Sequence, residues 1–184
     1  RTMGQLSTRK AARKFSTKRS TEIADNDVCV VSAVRTAMGS FQGGLAGLSA
    51  VELGSIAIKE AVSRAGVKVD DVNEVIFGNV VSSNLGQAPA RQAAIGAGLK
   101  PTTICTTVNK VCSSGLKTIM LAANEIRLGQ ADVIVTGGME SMSNIPYYIP
   151  SLRNGARIGD NTVLDGLMKD GLTDAYGKYP MGNC

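Results

Sequence analysis

The sequence predicts an α/β fold: a mostly parallel sheet with helices on both faces, in the order βαβαβαβ. Three observations carry this. Short apolar runs rich in β-branched residues alternate with longer segments whose apolar residues recur every three to four positions. Gly or Pro punctuates the joints. With 184 residues, 43% hydrophobic and 19% charged, the chain can bury a sizeable core, and no apolar run approaches the ~20 residues that span a bilayer.

The run Val28-Cys29-Val30-Val31-Ser32-Ala33-Val34 reads as a first strand buried on both faces. A Gly-rich turn follows (Gly39, Gly43, Gly44, Gly47). Ser49 with Glu52 three residues on is a capping box, Leu53, Ile56, Ala57 and Ala61 continue a helical stripe, and Gly66 ends it. Residues 75–81 read as a second strand, 89–97 as a short helix begun by Pro89, and 104–108 as a third strand. Residues 113–128 form a helix with Leu116, Ile119, Met120, Ala123 and Ile126 on one stripe, stopped by Gly129. Residues 132–136 are a fourth strand. Right-handed crossovers then place the helices over a parallel sheet.

From Asn144 the character changes. Pro146, Pro150 and Pro180 and a recurrent Gly replace the strand pattern, so residues 144–184 read as an excursion with a short helix at 163–169. The chain stops at Cys184 without a capping signal and starts at Arg1 rather than Met, so both ends are expected to continue in a longer protein.

The net charge of +5 is misleading until it is located. Residues 1–21 hold Arg1, Arg9, Lys10, Arg13, Lys14, Lys18 and Arg19 and no acid, which leaves 13 basic against 15 acidic residues in the rest. Folded-surface nucleic-acid binding, which needs basic residues and stacking aromatics on the domain itself, is not expected with aromatics at 4%. The leader, residues 1–21, instead has the composition of an organelle transit peptide, and Arg13-Lys14-Phe15-Ser16 resembles a mitochondrial processing site. A mitochondrial matrix location follows as an expectation.

Chemistry is narrowed by what the sequence lacks. Without a single His, no Ser-His or Cys-His pair can form within the chain, and no metal site is expected. Cys29, Cys105, Cys112 and Cys184 show no C-x-x-C spacing, so reduced thiols in an intracellular setting are expected. Cys29 and Cys105 sit inside strand patterns as small buried hydrophobes. Cys112 differs: it lies where strand 104–108 passes through Asn109-Lys110-Val111 into the next helix, with Ser113, Ser114 and Gly115 leaving room beside it. A thiol at a helix start is expected to have its thiolate favoured, and the spacing leaves both a nucleophile and a packed cysteine open. Gly96-Ala97-Gly98 begins a dinucleotide fingerprint and fails it at Pro101, and Gly138 and Glu140 read as backbone and packing requirements.

Val108-Asn109-Lys110-Val111-Cys112-Ser113-Ser114-Gly115-Leu116-Lys117 resembles the nucleophile motif of the thiolases. The segments 34–41 (VRTAMGSF), 86–93 (GQAPARQA), 137–143 (GGMESMS) and 169–174 (KDGLTD) resemble that family's other N-terminal landmarks in the same order. The resemblance covers the chain from about Val28 to its end and is greatest to short-chain acetyl-CoA acetyltransferases of the mitochondrial type. It implies a thiolase-like N-terminal catalytic domain over 28–143 and part of an inserted loop domain over 144–184. It implies Cys112 as the nucleophile that carries an acetyl group, with its backbone N–H in an oxyanion hole. Acetyl-CoA, acetoacetyl-CoA and CoA are the implied substrates and products, with no separate cofactor, and a homodimer or homotetramer is the implied assembly, residues 147–160 resembling the tetramer-tethering region. Neither nucleic acid nor membrane is an expected partner.

By motif match, Leu172 and Met181 line the pantetheine and acyl channel, while Gln87 and Arg91 fall near a subunit interface. Pro180 and Ala37 depart from the family's usual His and Pro. The activating His, the second catalytic Cys and an oxyanion Asn belong to the family's C-terminal half, so Cys184 is not cast as that second cysteine and the chain alone is expected to be inactive. The two halves of a thiolase bury their central helices against each other, which implies an exposed apolar helix face here. Two other readings stay open: a ketoacyl-synthase-like condensing enzyme, and a non-catalytic acyl-CoA-binding protein on the same scaffold.

Overall fold

The computed structural model describes residues 27–183. Three strands, β1 (Glu74–Gly78), β2 (Ile104–Val108) and β3 (Ile134–Gly138), form a parallel sheet in the order β2-β1-β3. Their register brings Gly78, Val108 and Gly138 level, so all three strands end at one edge of the sheet. The α/β class and the parallel sheet agree with expectation.

The helices begin and end where the sequence marks them. In α1 (Ala50–Ala65) the Ser49 hydroxyl accepts from the Glu52 N–H at 3.2 Å, and the Glu52 carboxylate accepts from the Ser49 N–H at 2.7 Å. Gly66 closes the helix at φ 66°, a left-handed geometry that suits glycine. Pro89 opens α2 (Pro89–Gly96), and Ser113 precedes α3 (Ser114–Arg127). The chain moves from β1 through α2 to β2 on one side of β1, then through α3 to β3 on the other. Right-handed crossovers in opposite directions place α2 and α3 on opposite faces.

The main core lies on the α1 and α2 side. Ala50 and Ile58 of α1, Ala90, Ala93 and Ala94 of α2, and Val75 and Phe77 of β1 are buried together with Leu99 and Met139. Small residues let these helices come close: a Cβ on Gly54 would stand 3.2 Å from the Ala93 Cβ. On the other face α3 turns Ser114, Thr118 and Ala122 to the sheet, all buried. The Thr118 hydroxyl accepts from the Gly137 N–H at 3.1 Å and donates to the Gly115 carbonyl at 2.7 Å, tying α3 to the end of β3. The apolar stripe of α3 faces outward, with Leu116 64% and Met120 53% exposed.

Three expectations are corrected. Residues 28–34 form no strand; they run extended with Val30 77% and Val31 70% exposed. Apolar and β-branched content makes a run fit a sheet but does not supply a partner, and residues 28–34 pair with neither edge strand of the order β2-β1-β3. The excursion does contain a strand pair, β4 (Tyr147–Tyr148) antiparallel to β5 (Leu164–Asp165). The helix expected at 163–169 therefore starts only after β5, as a short turn that widens to π geometry over Met168–Leu172.

Candidate active site

The edge where the three strands end is where a parallel sheet gathers functional loops. Asn79 N–H donates to the Val108 carbonyl at 3.1 Å and Met139 N–H to the Gly78 carbonyl at 2.9 Å, so the loops after β1, β2 and β3 begin stitched together. Close approach is what the glycines permit. A Cβ on Gly78 would stand 2.7 Å from the Ser114 Cβ, which seats the start of α3 directly on the sheet edge.

The turn between β2 and α3 carries Cys112, an exposed thiol. Val111 before it has φ 49°, the left-handed region that a β-branched residue rarely enters. Such strain persists only where the surroundings over-determine it, and here they do. The Asn109 Oδ1 accepts from the Val111 N–H at 3.0 Å, the buried Ser114 Oγ accepts from the Lys110 N–H at 2.8 Å, and the same hydroxyl donates to the Val111 carbonyl at 2.6 Å. Ser113 N–H donates to the Lys110 carbonyl at 3.3 Å and Ser114 N–H to that of Val111 at 3.0 Å. The thiol thus sits on a turn whose shape is set by its neighbours.

Beside this turn opens a cleft of about 550 Å³. Residues 80–83, Asn109 and Val111 form one wall; Lys169, Asp170, Gly171, Thr173, Tyr176 and Met181 are on the other. Val111, adjacent to Cys112, lines it. Of the two residues expected in the acyl channel, Met181 lines the cleft and is 40% exposed, while Leu172 is half-buried between two lining residues, Gly171 and Thr173. Tyr148 ties the two walls together: its hydroxyl donates to the Asp170 carboxylate at 2.8 Å and accepts from the Ser83 hydroxyl at 2.5 Å. Burial and the Asp170 carboxylate push the Tyr148 phenol up, so it remains a donor at neutral pH. A second hollow, about 610 Å³, lies over Tyr148, Ile149, Pro150, Leu152 and Arg153, apart from the nucleophile turn.

Glu140, read from the sequence as a packing requirement, has specific polar partners in the structure. Its carboxylate accepts from the Val80 and Val81 N–H groups at 3.0 and 3.3 Å and from the Asn79 side-chain amide at 3.2 Å. Burial raises its pKa above the usual glutamate value, against the pull of those donors. The signal was in the sequence only as an acid two residues past the two glycines that end an apolar strand. Cys105 lies half-buried in β2, where burial pushes its thiol up, as befits a packed cysteine; Cys29, expected to be buried in a strand, is instead exposed, because residues 28–34 pair with no strand. Among the described residues no group of His, Cys, Asp and Glu could hold a metal ion. Arg91 donates to the Pro101 carbonyl at 2.9 Å, and Gln92 donates to the carbonyls of Leu85 and Gln87, both at 2.7 Å, so this segment is engaged in local structure.

Comparison with known families supplies the deciding observation: residues 28–184 match the model of the thiolase N-terminal domain. The chain belongs to the thiolase family. A cytosolic acetyl-CoA acetyltransferase of Gibberella zeae is 60% identical over 155 residues, covering 84% of this chain and 39% of the relative. A mitochondrial acetyl-CoA acetyltransferase of Danio rerio is 50% identical over 183 residues, covering 100% of this chain and 43% of the relative. Among solved structures, the Acat5 thiolase of Ascaris suum in complex with coenzyme A superposes with a TM-score of 0.79 at 43% identity, over 83% of this chain and 39% of that one. This thiolase chain therefore spans about two-fifths of the length of these relatives.

Proposed function

We propose that this thiolase chain supplies the nucleophile half of an acetyl-CoA acetyltransferase. The Cys112 thiolate attacks the thioester carbonyl of acetyl-CoA, the carbonyl–sulfur bond to CoA breaks, and CoA leaves as its thiol, giving an acetyl-cysteine. A second acetyl-CoA, deprotonated at its α-carbon, then attacks the acetyl carbonyl and expels the Cys112 thiolate, forming acetoacetyl-CoA. Thiolysis is the reverse. The Cys112 backbone N–H would help hold the oxyanion, and Leu172 and Met181 would border the pantetheine and acyl channel. Coenzyme A acts as substrate and product, so the reaction calls for no separate cofactor.

The observation that carries this reading is an exposed thiol on a strained, over-braced turn beside a roomy cleft. The relatives named acetyl-CoA acetyltransferases support the substrate class, and the Ascaris suum thiolase bound to coenzyme A supports the ligand. Residues 28–143 would form the catalytic domain and residues 144–184 part of the cover over the acyl-CoA. The bases that deprotonate thiol and α-carbon must come from outside a chain without histidine. Assembly as a homodimer or homotetramer belongs to the same reading. So does a mitochondrial matrix address for residues 1–21, which lie outside the described residues. The Danio rerio relative, named mitochondrial, aligns over this whole chain, whereas the Gibberella zeae relative is named cytosolic.

The test combines this chain with the C-terminal portion of the Gibberella zeae relative. Radiolabelled acetyl-CoA should leave acetyl on Cys112, and Cys112→Ser should abolish transfer with the fold retained. Acetyl-CoA should also protect Cys112, but not the equally exposed Cys29, from iodoacetamide. Label on another residue, or turnover by the serine variant, refutes the assignment. A reporter carrying residues 1–27 behind a start codon should enter mitochondria; diffuse cytosolic signal refutes the location.

A further inference from the structure

A continuous hydrogen-bonded path leads from Glu140, after β3, to the peptide that precedes Cys112. The Glu140 carboxylate accepts from the N–H groups of Val80 and Val81. The Val80 carbonyl accepts from the Asn109 Nδ2 at 3.1 Å, and the Asn109 Oδ1 accepts from the Val111 N–H at 3.0 Å. Val111 is the left-handed residue whose strain aims the Cys112 backbone. The Val80 C=O and the Val81 N–H belong to one peptide unit, so the Glu140 carboxylate holds one end of it and the Asn109 amide the other. Glu140 joins the loop after β3 to the loop after β1, and Asn109 joins that loop to the Val111 turn with its donor and its acceptor both used.

The arrangement is kept at a cost. Asn79 is 2% exposed and its Oδ1 has no hydrogen-bond partner, while a carboxylate is held in a partly buried place that raises its pKa. Packing alone would be served as well by an apolar pair of similar shape. Local rules are broken where function needs them broken.

We propose that Asn109 and Glu140 are positioning residues for Cys112, acting in series through the Val80 peptide to hold the strained Val111 turn in the geometry that accepts an acyl group. This rests on the reading of Cys112 as the acyl acceptor. Misplacing a reacting atom by about 1 Å costs on the order of a hundredfold in rate. Val80, Asn109 and Val111 border the cleft but Glu140 does not line it, so loss of the Glu140 carboxylate should lower kcat and leave KM nearly unchanged.

The experiment uses the full chain combined with the C-terminal portion of the Gibberella zeae relative. Asn109→Ala and Glu140→Ala should each slow Cys112 acetylation about ten- to a hundredfold, with KM within about threefold for Glu140→Ala, a position that does not line the cleft. Because the residues act in series, the double variant should be no slower than Asn109→Ala alone. Glu140→Gln should restore part of the rate lost in Glu140→Ala: its amide oxygen still accepts from Val80 and Val81, while its NH₂ stands where the Asn79 Nδ2 loses an acceptor. Hydrogen exchange gives a readout without turnover: Glu140→Ala should expose the amide of Val111 as well as those of Val80 and Val81. Multiplying rate losses in the double variant, or unchanged Val111 protection in Glu140→Ala, overturns the series. Absence of acetyl on Cys112 in the unsubstituted chain would sink the acyl-cysteine reading instead, leaving the Val111 amide to decide the relay.

Discussion

At the scale of single residues, Glu140 and Cys105 have contrary surroundings. Burial raises the Glu140 carboxyl while three donors lower it, and burial wins. A folded-state pKa above the unfolded one means that the folded protein binds the proton more tightly. The linked stability is fully present below the ordinary glutamate value of about 4.3 and is lost as pH rises through the folded value. Glutamine does not titrate. Thermal midpoints of the reconstituted protein should therefore fall, relative to Glu140→Gln, as pH climbs from about 4 through that window, and then run parallel above it. Curves parallel throughout would show that burial does not govern this carboxyl. For Cys105 the expectation is kinetic: a half-buried thiol pushed up by burial should react with iodoacetamide more slowly than exposed Cys112. Mass spectrometry of the labelled peptides gives the order directly, and Cys105 labelling first would contradict the geometry.

At the scale of elements, the start of α3 depends on how closely it rests on β1. A Cβ on Gly78 would lie 2.9 Å from the Ser114 carbonyl carbon and 3.0 Å from the Gly115 nitrogen, so helix backbone would have to move. Gly78→Ala should cost about 1–3 kcal/mol and slow Cys112 acetylation, because the helix start and the nucleophile turn shift together. Gly138→Ala is the control. Its Cβ would meet nothing closer than 3.5 Å, so it should be the milder change in both thermal midpoint and acetylation rate. Equal losses would show that strand flexibility, not contact with α3, is what these glycines provide.

Elements written by local chemistry were legible beforehand. The Ser49–Glu52 capping box, the Gly66 terminus, Pro89 at a helix start and β2 at residues 104–108 all stand where the sequence puts them, because each depends on residues a few positions apart. Residues 28–34 have the local pattern of a strand but no pairing partner among the described residues, and pairing is a long-range property. The same limit hid Glu140. Its role comes from loops 60 positions away in sequence, whereas the Cys112 turn, strand followed at once by helix, is contiguous and could be read. The β4–β5 pair was missed because two residues per strand leave no periodicity to detect.

At the scale of the whole molecule, α3 shows two faces of opposite logic. The small and hydroxyl residues Ser114, Thr118 and Ala122 pack on the sheet, while Leu116, Ile119 and Met120 are 64%, 45% and 53% exposed. A contiguous apolar stripe on the outside of a central helix marks a surface that another protein layer covers. In the proposed enzyme that layer is the C-terminal half, which must also bring the bases that activate Cys112. General acid–base groups typically contribute about 10²- to 10⁴-fold each, so without them this chain should show no measurable acetyl-CoA condensation or acetoacetyl-CoA thiolysis. Leu116→Glu with Met120→Lys separates the two roles of the stripe. Charged in place of apolar, the chain alone should remain in solution at higher concentration, because the aggregating patch is gone. Combined with the C-terminal portion of the Gibberella zeae relative, the same variant should fail to copurify with it and stay inactive, since burying two charges at the contact costs several kcal/mol. Copurification and turnover equal to the unsubstituted chain would mean that the outer face of α3 is not where the missing half docks.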